Sequence, residues 1–239
     1  MSPPAAGVVQ AHRALAAAGQ GDLVWGHAAL RDPDGRGVWT KASGWGFEEI
    51  TEERVVLVSP EGEVLAGTGS RHIEYPIHTE VLRARPQAGA VVHTHPRAAT
   101  AFAALDVPLR ALDHDGVLFS EPDVPRFTGT GGLIRTAELG AAVAAALGDA
   151  RALLLPRHGV VAVGTTLAEA VMHAVLLDRA CRAQLTAMAA GELRGWSDAA
   201  ECAAKRAECW NPTQIDAGWR YLLRSAGPPR RPFDNEETP

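Results

Sequence analysis

AVVHTHPRAATAFAAL, residues 90–105, is the stretch from which the rest of the chain can be read. AGAVVHTH, residues 88–95, is a short run with β-branched residues, ended by Pro96, which predicts a buried strand. On a strand, residues i and i+2 face the same side, so His93 and His95 project together while Thr94 points away. RAATAFAAL, 97–105, then has helical spacing. A strand that delivers two imidazoles to its end, next to a helix, sits where open α/β sheets keep their sites. A third histidine, His158, stands in LLLPRHGVVAVG (153–164), again at the end of an apolar run and beside a glycine that allows close approach. Three neutral imidazoles can hold a metal and leave positions open for water or substrate. Spacing alone leaves hydrogen-bonded core histidines as the alternative.

Outward from that stretch, the chain alternates elements without a parallel βαβ rhythm. Residues 6–18 predict a first helix that stops at Gly19 and Gly21. LVWGHAALR (23–31), the Asp-Gly turn DPDGRG and VWTKAS predict a hairpin, and RVVLVSPEGEVLAG predicts a second one. Helices are expected over 77–85, 136–148 and 167–191, with a strand pair over 150–164 broken near Pro156. The expected fold is α/β: a three-layer α/β/α sandwich with a mixed, largely antiparallel central sheet. One domain over residues 1–226 is expected, with a Pro-rich, charged and flexible tail over 227–239.

Composition narrows the function. The 239 residues carry a formal net charge of -5, which gives no basic footprint for nucleic acid and no pull toward an anionic membrane. No apolar run reaches the roughly 18 residues that a membrane helix needs, and the N-terminus does not read as a signal peptide. The three cysteines, Cys181, Cys202 and Cys209, lack a metal-type spacing and suit a reducing cytoplasm. His12 and His173 lie in expected helices and are read as structural. Cys181 is read as a small buried residue, and Trp210, Trp219 and Tyr221 as core.

AVVHTHPRAATAFAAL followed by LLLPRHGVVAVG resembles the class II aldolase/adducin family, from about residue 8 to residue 190. The fuculose-phosphate aldolases and ribulose-phosphate epimerases belong to that family. The resemblance implies that His93, His95 and His158 ligate one divalent metal per subunit, zinc or manganese with iron behind. It implies that Glu74, 19 residues before His93, is the catalytic acid/base and a further ligand when substrate is absent. It also implies a homotetramer with active sites between subunits. His114, in DHDG, stands near the place of a tyrosine that is thought to reach a neighbouring subunit's site as proton donor, and histidine moves protons more readily near neutrality.

Departures from the sugar-phosphate members point to the substrate. Those members hold phosphate on small hydroxylic loops. Here GHAAL places His27 and Ala29 in the first loop. TKASGWG keeps Ser43-Gly44 in the second but adds Lys41 and Trp45. RHIE places Arg71, His72 and Ile73 before Glu74 in the third. Small hydroxyls suit a tetrahedral dianion, whereas imidazole and cationic donors suit a planar carboxylate. His27, Lys41, Ser43, Gly44, Arg71 and His72 are therefore expected at a small-molecule carboxylate, with Trp45 able to flank a flat ring. WGHAALRDPDGRG…GWGFEEI is similar to the family's branch that decarboxylates hydroxylated aromatic dicarboxylates such as dihydroxyphthalate. The expected activity is a metal-dependent carbon–carbon lyase, with aldol cleavage as the alternative and an Fe(II) oxygenase as the outsider.

Overall fold

The computed structural model describes residues 4–227; most of the expected tail lies outside the described residues. Seven strands form one sheet: β1 (His27–Arg31), β2 (Val38–Lys41), β3 (Val55–Val58), β4 (Val64–Ala66), β5 (Ala90–Thr94), β6 (Ala152–Leu155) and β7 (Gly159–Gly164). Their order is β4-β3-β2-β1-β5-β7-β6. All six neighbouring pairs run antiparallel, so the expected mixed sheet is corrected in one respect. Among the described residues, the one parallel contact is an isolated bridge between Arg126 and Leu154, outside the strand pairs.

The alternation of the strands sorts the core into two layers. Ala28, Val92, Leu154, Val160 and Ala162 face one side. There they meet α1 (Pro4–Ala17), α3 (Arg97–Ala103) and α5 (Leu167–Ala190). Ala29, Val56, Val91, Leu153 and Val161 face the other side, covered by α2 (Tyr75–Ala84) and α4 (Ala137–Leu147). Every residue of β5 and β7 is buried, which is why those segments read as unbroken apolar runs rather than as alternating ones. The helix starts are chemically marked. Thr136 accepts a hydrogen bond from the Leu139 amide, and Thr166 accepts one from the Glu169 amide. Gly148 and Gly191 end α4 and α5 as the sequence predicts.

Three local expectations are corrected. β1 begins at His27, not at residue 23. Residues 22–26 instead make a tight turn, with an Asp22–Trp25 bridge and positive φ at Leu23 (49°) and Gly26 (70°). A Cβ at Gly26 would lie 3.0 Å from the Phe47 ring and 3.3 Å from the His93 carbonyl oxygen, so that turn closes directly over the end of β5. The region after residue 191 carries two helices beyond those expected: α6 (Ala199–Cys209) and α7 (Pro212–Ser225). Trp210 and Trp219 pack against the core as expected, whereas Tyr221 is exposed.

Candidate metal centre

β1 and β5 are in register with His27 opposite His93, and His93 in turn lies opposite Val161 of β7. His27, His93 and His95 therefore share the face covered by α2, at the end where β5 runs out at Pro96. His158 arrives from the β6–β7 hairpin. That hairpin turns through Arg157 at φ 66°, a left-handed conformation unusual for a non-glycine residue. Gly159 follows because there is no room for a side chain. A Cβ there would overlap the Thr94 carbonyl and lie 2.7 Å from His95 Cδ2. Glu74 immediately precedes α2, and its side chain turns away from the helix so that Oε1 accepts the Ile134 amide at 2.7 Å.

These elements bring Glu74, His93, His95 and His158 together. Each offers one donor atom, and those atoms lie within 4.8 Å of one another. The hydrogen bonds around them fix the direction of their lone pairs. His93 Nδ1 lies 2.9 Å from the Val160 carbonyl, and a carbonyl only accepts, so Nδ1 carries the proton and Nε2 is bare. His95 Nδ1 lies 2.9 Å from Asp22 Oδ2, so by the same logic it donates and its Nε2 is bare. The two Nε2 atoms are 3.1 Å apart. Two lone pairs facing each other at that distance repel unless a cation stands between them. His158 adds a buried imidazole neither of whose nitrogens has a hydrogen-bond partner. Glu74 Oε2 is 3.7 Å from His93 Nε2, and Oε1 is 3.4 Å from His158 Nε2. Three imidazoles and a carboxylate with converging lone pairs fit a divalent metal such as zinc, manganese or iron.

Electrostatics agree with that state. Burial pulls His95 down to about 4, with His93 adding to the effect and Asp22 opposing it, so His95 is neutral near pH 7. Burial alone would raise the Glu74 carboxyl. Its interactions with His158 and His93 and the Ile134 amide outweigh burial and hold it well below the usual carboxylate range. Asp22 is the residue the sequence did not reveal. It orients His95 from a turn distant in sequence, and no local motif marks it. Asp22→Ala is expected to weaken metal affinity by about 10–100-fold, the usual effect of losing such an outer partner. Competition with a chromophoric chelator measures it, and unchanged affinity would remove Asp22 from the site.

The expected substrate residues divide. His27 and His72 are beside the cluster: their rings are 4.4 Å apart, and His27 is 5.2 Å from His93. His27 Nδ1 bonds His78 Nε2 at 2.5 Å, which brings His78 of α2 into the site. Burial, then Lys41 and His93, lower His72 to about 3, and burial with the neighbouring imidazoles lowers His27 well below its ordinary value. Lys41 is corrected. It is sealed from solvent, and its Nζ is shared among the Val24 carbonyl, the Trp45 carbonyl and His72 Nε2 at 2.8, 2.8 and 2.9 Å, leaving no donor for a substrate. Arg71 is also tied elsewhere: its Nε donates to the Gly62 carbonyl and its guanidinium lies over the Tyr75 ring. Trp45 is covered by the Arg54 guanidinium at 3.5 Å and does not present a free face. Ser43 and Gly44 lie on an exposed turn held by the Ser43 amide to Ser70. His114 is not brought to the cluster: it is exposed on the turn before Gly116, with its carbonyl bound by Trp210 Nε1. His12 and His173 are structural as expected, each bound to a backbone carbonyl.

The sequence matches the model of the class II aldolase and adducin N-terminal domain over residues 6–185. The chain belongs to this family. Among its relatives is the meiotically up-regulated gene 14 protein of Schizosaccharomyces pombe, 31% identical over 67% of this chain and 63% of that protein. This chain therefore spans just under two thirds of that relative. The 3,4-dihydroxyphthalate decarboxylase of Terrabacter sp. is 34% identical over 77% of this chain and 81% of the relative. Among solved structures, the L-fuculose 1-phosphate aldolase of Glaciozyma antarctica superposes with a TM-score of 0.79 at 28% identity, covering 92% of this chain and 86% of that one. The class II aldolase fold is thus shared with both decarboxylating and aldol-cleaving relatives, and a metal-dependent lyase is what the family and the cluster together support. No helix among the described residues is long and apolar enough to cross a membrane.

Proposed function

We propose that the protein is a divalent-metal-dependent decarboxylase of a hydroxylated aromatic carboxylate, dihydroxyphthalate-like in substrate class. The observation that carries this is the pairing of the Glu74, His93, His95 and His158 cluster with two imidazoles, His27 and His72, where sugar-phosphate enzymes of the family have small hydroxylic loops. The similarity to a dihydroxyphthalate decarboxylase supports it.

His93, His95 and His158 would hold the metal, with Glu74 as a further ligand when substrate is absent. When bound, the metal supplies a Lewis acid for the substrate oxygen that gathers charge. His27 and His72 orient the substrate carboxylates. Glu74 handles the proton. Free, it is ionised; an arriving anionic substrate opposes that charge and raises its pKa, making it a donor. A proton passes from the Glu74 carboxyl to the ring carbon that bears the carboxylate. The bond from that carbon to the carboxylate then breaks, its electron pair restores the aromatic ring, and CO2 leaves. Water returns the proton to Glu74.

Aldol cleavage is the second reading, favoured by the superposition on an L-fuculose 1-phosphate aldolase. The apolar residues Leu23, Trp25, Ile73 and Leu133 are all exposed and all adjoin, in sequence, groups that build the site. That exposed apolar rim is what a second subunit would cover, in keeping with a homotetramer with sites at the interfaces, and His114, exposed and away from its own chain's cluster, would then serve a neighbour's site. Three free cysteines suit a cytoplasmic setting.

The test is a substrate panel given to metal-loaded protein: an ortho-hydroxylated aromatic dicarboxylate, a hydroxy-acid set and a sugar-phosphate set, with CO2, aldehyde and oxygen followed together. CO2 from the dicarboxylate without oxygen uptake is expected. Aldehyde from a sugar phosphate and no CO2 would replace decarboxylation with aldol chemistry, and oxygen uptake would point to the oxygenase.

A further inference from the structure

We propose that Lys41 and His72 act as one anion receptor beside the metal-type cluster: the sealed lysine donates to His72 Nε2, which fixes His72 as an Nδ1–H donor that receives a carboxylate of the substrate. This rests on the carboxylate substrate class proposed above.

The hydrogen-bond inventory carries the first half. Two of the three groups around Lys41 Nζ are backbone carbonyls, which only accept, so two ammonium hydrogens go to Val24 and Trp45. Below about pH 7, or with an anion beside it, Lys41 is an ammonium and its third hydrogen meets His72 Nε2 at 2.9 Å. An imidazole that accepts on Nε2 carries its proton on Nδ1. His72 Nδ1 has no partner among the described residues, yet it is not one of the polar atoms sealed from solvent. It is a donor left open.

The charge carries the second half. No carboxylate lies within ion-pair distance of Lys41 among the described residues. Glu49, the acidic group that most affects it, is already bonded to the Gly46 amide. Burial lowers Lys41 to about 7, the cost of a cation without a counter-ion, and an anion nearby raises it again and favours the ammonium. His72 is bonded to the lysine on one side and lies against His27 on the other, so an anion on Nδ1–H feels the ammonium through one imidazole. His27 bridges the His72 ring to the His93 ring. A ring with two neighbouring acidic groups can thus place one on His72 and the other toward His93. One directed N–H suits a planar carboxylate better than a tetrahedral phosphate, which needs several donors. His72 touches the substrate; Lys41 is a positioning residue that works through it.

The test uses metal-loaded full-length protein and phthalate, a ring dicarboxylate that lacks the hydroxyl needed for turnover. Phthalate binding is read by calorimetry, metal content by emission spectrometry and the tautomer by 15N-histidine NMR. Wild type is expected to show His72 with a bare Nε2 and a protonated Nδ1. Lys41→Met is expected to lose that signature and to weaken phthalate binding at least about tenfold, with metal content unchanged. His72→Gln, whose amide lies near the Nε2 position, should weaken it as much, whereas His72→Asn, whose amide replaces Nδ1, should keep most of it. The His72 pair carries the test if Lys41→Met does not fold. A proton on Nε2 in wild type, or equal phthalate binding by all variants, would overturn the receptor. Phthalate binding with this dependence but no CO2 release from hydroxylated substrates would keep the receptor and discard decarboxylation. CO2 release with no such dependence would do the reverse.

Discussion

His158→Ala is expected to empty the metal site and lower turnover by about a thousandfold or more, since a Lewis-acid metal contributes several kcal/mol to such a barrier. The reason lies in where His158 stands. It comes from a different hairpin than His93 and His95, so its loss leaves two imidazoles on one strand and a carboxylate from α2, with nothing to close the set. Neither of its nitrogens makes a good hydrogen bond, and its polar neighbour is Glu74 Oε1 at 3.4 Å, so alanine removes little that the fold depends on. The variant should fold as wild type by circular dichroism while emission spectrometry finds little bound metal. Full metal content in His158→Ala would show that the cluster is not the metal centre.

Glu74→Gln is expected to keep the metal and lose the chemistry. A glutamine at the start of α2 can still accept the Ile134 amide through its carbonyl, so the local fold is preserved. Glutamine cannot accept, store or return a proton. Turnover should fall by about 10²–10⁴, the range for loss of a general acid/base, mainly in kcat. In deuterated water, wild type should place one deuterium on the ring carbon that lost the carboxylate, and the variant should make that product slowly or not at all. A Glu74→Gln enzyme with near wild-type kcat would move the proton-transfer role elsewhere, with the neighbour's His114 next to be tested.

Much of the site was legible because strand geometry is periodic. His93 and His95 share a face for the same reason that Val91 does, and the buried β5 and β7 read as apolar runs. His158 was found because it ends such a run, and Glu74 through the family resemblance rather than through spacing. What stayed hidden depends on contacts between distant segments. Asp22 meets His95 only because residues 22–26 turn back over β5, and LVWGHAALR is too evenly apolar to separate that turn from a strand. Lys41 reads as a polar strand residue facing ligand, yet two loop carbonyls and an imidazole enclose it. The pairing of His78 with His27 joins a helix to a strand across the site, which no local pattern encodes. α6 is faint because Cys202 is its buried residue, whereas α7 carried legible signals, with Asn211 as cap, Pro212 in its first turn, and Ile215 and Leu222 seven apart on one face.

The most direct measurement follows labelled CO2 from a carboxyl-13C ortho-hydroxylated aromatic dicarboxylate, with wild type and His93→Ala side by side after metal loading. Labelled CO2 from wild type and none above background from the variant is the predicted result. No labelled CO2 from wild type, or equal release from both proteins, would contradict a metal-dependent decarboxylase built on this cluster.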